Sequence, residues 1–167
     1  MGTERASAGG AAGRGSRGYS FVELLVVSTI LLILASAVMP LAQVTMQRQR
    51  EIELRRALRE MRTAIDRYKD AVDTGAISPL EVEAGSEGYP LSLETLVEGV
   101  PMANEASGRL LKFLRRIPID PLTKSREWGL RSYQDDADSR SWGGQNVYDV
   151  HTTSRGTGLD GTDYQDW

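Results

Sequence analysis

Glu23 is a charged residue in an energetically unfavourable position, because it lies inside an otherwise apolar segment. The segment, RGYSFVELLVVSTILLILASAVMP, covers residues 17–40. A carboxylate at the centre of a membrane helix costs roughly 2.5–3.5 kcal/mol on insertion scales. A plain membrane anchor leaves this charge unexplained. Glu23 is therefore the first candidate functional residue.

Few other residues could support catalysis. The sequence has no cysteine, which excludes disulfides, thiolate metal sites and cysteine nucleophiles. His151 is the one histidine and lies in a predicted strand, where we expect a surface or half-buried side chain. Asp135, Asp136 and Asp138 form a predicted polar turn, and the GxGxxG match at residues 156–161 lacks a βαβ unit around it. With no convincing catalytic set, we predict that the protein is not an enzyme.

The charge distribution separates a basic leader from a mildly acidic remainder. The formal net charge is −3. Three arginines against one glutamate give residues 1–18 about +2, so the rest of the chain carries about −5. The leader is rich in Gly, Ala, Ser and Arg and contains nothing that could pack. The acidic balance of the remainder argues against nucleic-acid binding.

The elements that must position Glu23 begin with a long uncharged run. Residues 24–47 contain no charged side chain over 24 positions, and about 20 suffice to cross a bilayer as a helix. Pro40 interrupts the run, but membrane helices tolerate such a residue. We therefore predict a transmembrane helix over residues 19–47.

An amphipathic helix is predicted directly after this run. Apolar residues recur at alternating steps of four and three, which indicates one apolar stripe on a helix. They are Leu54, Leu58, Met61, Ile65, Tyr68 and Val72. Gly75 is the predicted C-cap. A continuous helix would run from about Ser20 to Thr74.

The C-terminal half contains short elements between breakers. Residues 77–90 are predicted as a loop, and Ser92 is placed to cap a short helix. GRLLKFLRRIP, residues 108–118, suggests a second short helix. EWGLRSY (127–133) and NVYDVHTT (146–153) are predicted strands. The Gly- and Asp-rich tail, residues 154–167, is predicted as a loop.

Three interpretations of the N-terminus are open from these residues. Ala35-Ser36-Ala37 satisfies the small-residue pattern of a cleavable secretory signal. A plain signal anchor explains the length and the apolar character. The third interpretation joins Gly18, Tyr19, Ser20 and Glu23 into one motif, GYSFVELL.

GYSFVELL resembles the prepilin cleavage and methylation signature of type IV pilins and type II secretion pseudopilins. The resemblance implies cleavage between Gly18 and Tyr19 by a prepilin peptidase, which then N-methylates Tyr19. Glu23 becomes the fifth mature residue, and Pro40 lies where this family commonly has a proline. Tyr19 replaces the commoner phenylalanine. In the filament, Glu23 of one subunit would neutralise the Tyr19 amine of a neighbour.

The resemblance extends more weakly along the chain. RTAIDRYKDAVD, YPLSLETLVEG, FLRRIPIDP and the Gly/Asp-rich end follow the order of segments in the major pseudopilin of type II secretion. This implies an α+β pilin-like fold, in which a long N-terminal helix, with a membrane half and an amphipathic half, packs on a small antiparallel sheet. The domains would be a leader (1–18), a transmembrane and filament-core helix (19–47) and a periplasmic pseudopilin domain (48–167).

The resemblance also implies a function and partners. The chain would be a single-pass protein of the bacterial inner membrane that polymerises into a periplasmic pseudopilus for type II protein secretion. Its partners would be further copies of itself, the prepilin peptidase/N-methyltransferase, minor pseudopilins, the inner-membrane secretion platform and membrane lipid, without nucleic acid. The alternatives are a type IV pilin subunit of an extracellular filament, or a monomeric membrane-anchored binding domain.

A calcium site is the one cofactor that the resemblance implies, because major pseudopilins often bind this ion in the C-terminal loop. Oxygen ligands from carboxylates, hydroxyls and backbone carbonyls suit calcium. The candidates are Ser154, Asp160, Asp163 and Asp166. Asp160, Asp163 and Asp166 recur at intervals of three, so a compact turn could bring their carboxylates together. The competing interpretation is a solvated acidic loop anchored by Tyr164 and Trp167.

Overall fold

The computed structural model describes residues 18–103 and 108–167, apart from the side chains of residues 37–41. The predicted leader, except for Gly18, lies outside the described residues. The chain divides into two compact units, Met1–Ala42 and Gln43–Trp167.

Helix α1 spans Phe21–Asp73 and contains 53 residues. In the second unit the whole predicted stripe faces the core: Leu54, Leu58, Met61, Ile65 and Tyr68 are buried, and Val72 is partly buried against them. The continuous helix predicted from the sequence is confirmed, and it continues through position 40.

A glycine ends α1 as predicted. Gly75 has a φ of +72°, in the left-handed region that favours glycine, and its N–H donates to the Val72 carbonyl at 3.0 Å. The Thr74 N–H donates to the Asp70 carbonyl at 2.9 Å. These bonds satisfy carbonyls at the end of the helix and turn the chain away from its axis.

Helix α2, Leu93–Glu98, is the short helix predicted after Ser92. The Thr95 N–H donates to the Ser92 hydroxyl oxygen at 3.4 Å, which satisfies one of the unpaired donors of the first turn. Leu93 and Leu96 are buried. The cap and the apolar spacing therefore explain the position of α2.

The helix predicted for residues 108–118 is wrong. This segment instead contains strand β2, Leu110–Leu111, which pairs antiparallel with β1, Val100–Pro101. Shortly after β2, the N–H groups of Phe113 and Leu114 donate to the Leu96 carbonyl at 3.0 and 2.9 Å. An eleven-residue helix is marginal by itself, so these tertiary contacts outweigh the local helical pattern.

Both predicted strands of the C-terminal half exist in a shorter form. Strand β3, Gly129–Arg131, pairs antiparallel with β4, Asp149–His151, and Leu130 is opposite Val150. Within the described residues the strands form two separate two-stranded antiparallel sheets, where one small antiparallel sheet was predicted. Single 3₁₀ turns occur at Pro79–Glu81 and Tyr164–Asp166.

The core of the second unit joins α1 to α2 and to the β3–β4 sheet. Leu96, Leu114, Val147 and Val150 pack with the α1 stripe. The Trp128 indole N–H reaches the Pro118 carbonyl at 3.0 Å, so its one polar atom is paired. The fold is therefore α+β, with one long helix and small antiparallel sheets, in agreement with the pilin-like class.

Candidate functional site

The predicted scissile bond lies outside the helix. Gly18 and Tyr19 precede the start of α1 at Phe21, and both are exposed, Tyr19 at 75%. Among the described residues, and apart from its chain neighbours, no atom lies within 4 Å of the position that a Cβ on Gly18 would occupy. The bond between these residues is therefore accessible along an irregular stretch of backbone.

Glu23 lies in the first turn of α1 and is exposed. The first N–H groups of a helix have no partner within it, so negative charge is favoured at this end. The Leu24 N–H donates to the Ser20 carbonyl at 3.1 Å, which marks the beginning of the helical hydrogen bonds. Within the described part of the chain, the Glu23 carboxylate forms no hydrogen bond or ion pair.

The α1 residues around Glu23 form an uncovered apolar surface. Eleven large apolar side chains between positions 21 and 34 are each 47–79% exposed. They are Phe21, Val22, Leu24, Leu25, Val26, Val27, Ile30, Leu31, Leu32, Ile33 and Leu34. Exposed apolar surface on this scale indicates contact with lipid or protein. In the part of the chain that the structure describes, no helix is both long enough and apolar enough to cross a membrane.

Three of the four calcium candidates, Asp160, Asp163 and Asp166, line one hollow, but among the described residues they do not form a group that could hold a metal ion. One Asp160 oxygen accepts from the Thr162 N–H and hydroxyl at 3.0 and 2.7 Å, and the other accepts from Arg55 at 3.0 Å. The hydrogen bonds from Thr162 lower the pKa of Asp160. The Ser154 hydroxyl oxygen accepts from the Gly156 N–H at 3.4 Å.

The remaining two candidates are placed differently. Asp163 accepts from the Thr157 hydroxyl at 3.4 Å and lies 3.7 Å from an Arg140 nitrogen, while Asp166 is exposed. Among the described residues, no three acidic or histidine side chains are grouped to hold a metal ion. These positions do not fit a calcium site as they stand, and calcium binding stays a prediction.

The sequence analysis missed a buried carboxylate that fastens the C-terminal loop to α1. One oxygen of Glu51 accepts from the Gln47 amide at 3.1 Å, the Leu159 N–H at 2.9 Å and the Tyr164 hydroxyl at 2.9 Å. Burial raises the pKa of the Tyr164 hydroxyl, so it remains a donor. One sequence signal was available: Glu51 lies three residues before Leu54, on the line of the apolar stripe.

A cluster of ion pairs, which was also not predicted from the sequence, joins α1 to strand β4. Arg62 donates through Nε to one Asp149 oxygen at 2.6 Å and through Nη2 to the main-chain oxygens of Val150 and Trp167 at 3.1 and 2.6 Å. The nearly buried Arg131 reaches the other Asp149 oxygen at 3.3 Å. Two guanidinium groups therefore share one carboxylate and cross-link three segments.

His151 lies in β4 as predicted but is buried rather than half-buried. Its Nδ1 has no hydrogen-bond partner among the described residues, and its ring fills the space where a side chain on Gly129 would lie. Burial lowers the pKa of His151, and the neighbouring Arg131 adds to this effect. The imidazole therefore packs in its neutral form.

One comparison with known proteins identifies the N-terminal segment. Residues 13–39 match the family model of the prokaryotic N-terminal methylation motif. The chain therefore carries the processing signal of type IV pilins and pseudopilins. The matched segment contains Gly18, Tyr19 and Glu23. No curated protein and no solved structure matches the chain.

Proposed function

We propose that this chain is a major pseudopilin, a structural subunit that polymerises into a periplasmic pseudopilus for type II protein secretion. The observation that carries the proposal is the uncovered apolar surface of α1 around Glu23, inside a segment that matches the methylation motif. The role is structural and requires no catalytic residue in this chain.

Processing creates the charge that explains Glu23. Cleavage after Gly18 frees an α-amine on Tyr19, and such an amine is largely protonated at neutral pH. The amine lies at the N-terminal end of α1, where the helix dipole disfavours positive charge. Burial of either charge alone among packed helices would be costly. In the filament, Glu23 of one copy therefore pairs with the Tyr19 amine of another.

This pairing makes assembly selective for processed and correctly aligned subunits. An uncleaved chain has a peptide bond at Tyr19 and no amine to offer. A shift of one helix along its neighbour leaves two unpaired charges in an apolar setting, which is strongly disfavoured. Glu23 therefore acts as a docking and register device, and its cost in a lone subunit favours addition to the growing end.

The second unit supplies the periplasmic domain. It has its own core, and no cysteine occurs anywhere in the sequence. The Glu51 and Arg62 contacts order its C-terminal loop without a disulfide. The proposed location is the bacterial inner membrane, with this domain in the periplasm and with the prepilin peptidase, minor pseudopilins, secretion platform and lipid as partners.

Intact-mass analysis of the membrane-extracted protein tests the proposal. We expect a mature chain that begins at N-methylated Tyr19. An uncleaved chain, or one that begins at Val38 after a conventional signal cleavage, would contradict it. A type IV pilin has the same processing, so filament location separates the two. Filaments confined to the periplasm support a pseudopilus, whereas filaments on the cell surface support a pilus.

A further inference from the structure

A hollow of about 680 Å³, here called the arginine groove, lies on the α1 surface of the second unit. Residues of α1 and of the segment after β2 line it. Its charged side chains are four arginines and one glutamate: Arg56, Arg59, Arg67, Arg115 and Glu60. The groove therefore carries a clear excess of positive charge, although the whole chain is acidic.

The four arginines are available to a ligand. All four are exposed, and none of their guanidinium groups forms a hydrogen bond or ion pair with another residue in the described part of the chain. This separates them from Arg62 and Arg131, whose guanidinium groups hold Asp149. A cluster of unpaired guanidinium groups attracts carboxylates, which it can bind through two parallel hydrogen bonds.

The lining of the groove also includes apolar side chains. Ile52 is 62% exposed, and Phe113 is half-buried with its ring 5.3 Å from that of Tyr68. Leu114 is buried beside them. An apolar centre with a charged margin is the usual arrangement of a protein–protein contact surface. The groove therefore suits an apolar side chain flanked by carboxylates.

The same chain displays a segment of that composition. In the turn after α1, here called the acidic turn (residues 78–83), Leu80 is 95% exposed and is followed by two exposed glutamates, Glu81 and Glu83. The turn is ordered, because the Ser78 hydroxyl oxygen accepts from the Leu80 N–H at 3.3 Å and Val82 packs against the core. The exposed leucine is therefore presented by a fixed backbone.

The groove and the turn of one chain lie at different levels of α1. The α1 residues of the groove are centred near Arg59, whereas the acidic turn follows the end of α1 at Asp73. Fourteen residues of helix correspond to roughly 20 Å. A second copy displaced along the helix axis would bring its turn to the groove. Such a contact uses two different surfaces, so each copy can bind one neighbour on either side, and a displacement along the axis gives the open repeat of a filament.

We propose that the arginine groove of one copy binds the acidic turn of the next copy. Leu80 inserts against Ile52 and Phe113, and Glu81 and Glu83 pair with the surrounding arginines. The inference rests on the proposed filament function and adds to it a contact between the folded domains. It is separate from the pairing of Glu23 with the Tyr19 amine.

Cysteine cross-linking of the full-length chain tests the contact, because the natural sequence has no cysteine. The double variant Ile52→Cys/Leu80→Cys is expressed with prepilin peptidase and the assembly machinery, and filaments are then oxidised. We expect a ladder of covalent oligomers on a denaturing gel. Each single variant should remain monomeric. The matched control Ile52→Cys/Leu91→Cys uses another exposed leucine and should give no ladder.

Charge reversal then tests the recognition itself. Glu81→Arg/Glu83→Arg in the double-cysteine chain should reduce the cross-linked fraction at least about tenfold, because like charges across an interface are strongly disfavoured. Adding Arg56→Glu/Arg59→Glu should restore it. All four positions are exposed, so circular dichroism should show an unchanged fold.

The outcomes separate this inference from the proposed function. Filaments without a ladder would overturn the groove contact and leave the pseudopilin proposal in place. A ladder that is insensitive to charge reversal would overturn the role of the arginines. A mature chain that forms no filament overturns the proposed function and, with it, this contact.

Discussion

Two glutamates of α1 lie among apolar residues and have opposite surroundings. Glu51 is buried, and its carboxylate accepts three hydrogen bonds from its own chain. Glu23 is exposed, and no described residue pairs with it. The apolar residues beside Glu51 form a core, whereas those beside Glu23 remain uncovered. Folding therefore provides the Glu51 carboxylate with hydrogen-bond donors, whereas the Glu23 carboxylate requires a partner from outside the chain.

The largest effect is expected for Glu23→Ala. Filament assembly should be lost, because the Tyr19 amine of the adjacent subunit would have no partner, while cleavage and membrane insertion should continue. Sedimentation of filaments and intact mass measure the two outcomes. Assembly at the wild-type rate would show that the pairing mechanism is wrong.

Gly18→Ala should strongly slow cleavage. None of the residues that the structure describes obstructs a Cβ at this position, so they accept the methyl group without strain. Any loss of processing must then come from the fit of the scissile residue in the peptidase. The ratio of precursor to mature chain on a gel measures this effect. Ser20→Ala is a matched control, and equal processing of both variants would contradict the assignment of Gly18.

Glu51→Ala should destabilise the second unit by about 2–3 kcal/mol, because it leaves the Leu159 N–H and the Tyr164 hydroxyl without their acceptor. Urea unfolding of a fragment covering residues 43–167 measures the change. The exposed Glu53 provides the control, and Glu53→Ala should stay within about 0.5 kcal/mol of wild type. Equal destabilisation by the two substitutions would show that Glu51 stabilises the fold no more than a surface carboxylate does.

A weaker effect is expected from the protonation of His151, which should make the folding stability depend on pH. Its folded-state pKa is lowered, so the unfolded chain binds the proton more readily. Stability should therefore fall as pH drops below about 6.5 and towards the folded pKa. As the chain has one histidine, a single NMR resonance reports the titration. A titration at or above the ordinary value would contradict the neutral buried ring, and His151→Leu should flatten this part of the stability profile.

The addition of calcium is expected to give the smallest change in the stability of the second unit. A bound ion would have to displace Arg55 and Thr162 from Asp160, which lie 3.0 Å and 2.7 Å from its oxygens. The melting temperature of residues 43–167 should therefore be only slightly higher in millimolar calcium than in chelator. A rise of several degrees, equivalent to roughly 1 kcal/mol, would establish a calcium-stabilised loop. Magnesium serves as the control, because it demands a tighter octahedral site.

The sequence alone determined the features that depend on nearby residues. The GYSFVELL spacing predicted the processing signal, and the apolar stripe predicted the buried face of α1. Ser92 and Gly75 predicted a helix start and a helix end, because caps act through backbone groups within a few residues. The two strands of the C-terminal half were predicted in position and proved shorter.

Tertiary structure decided what depends on distant residues. Residues 108–118 have a helical pattern, but Leu96 and strand β1 provide partners that make part of the segment a strand. Glu51 resembled a surface charge until the loop 108 residues later placed the Leu159 N–H beside it. Pairing over such separations depends on the whole fold, because no local pattern specifies which donor a buried carboxylate will meet.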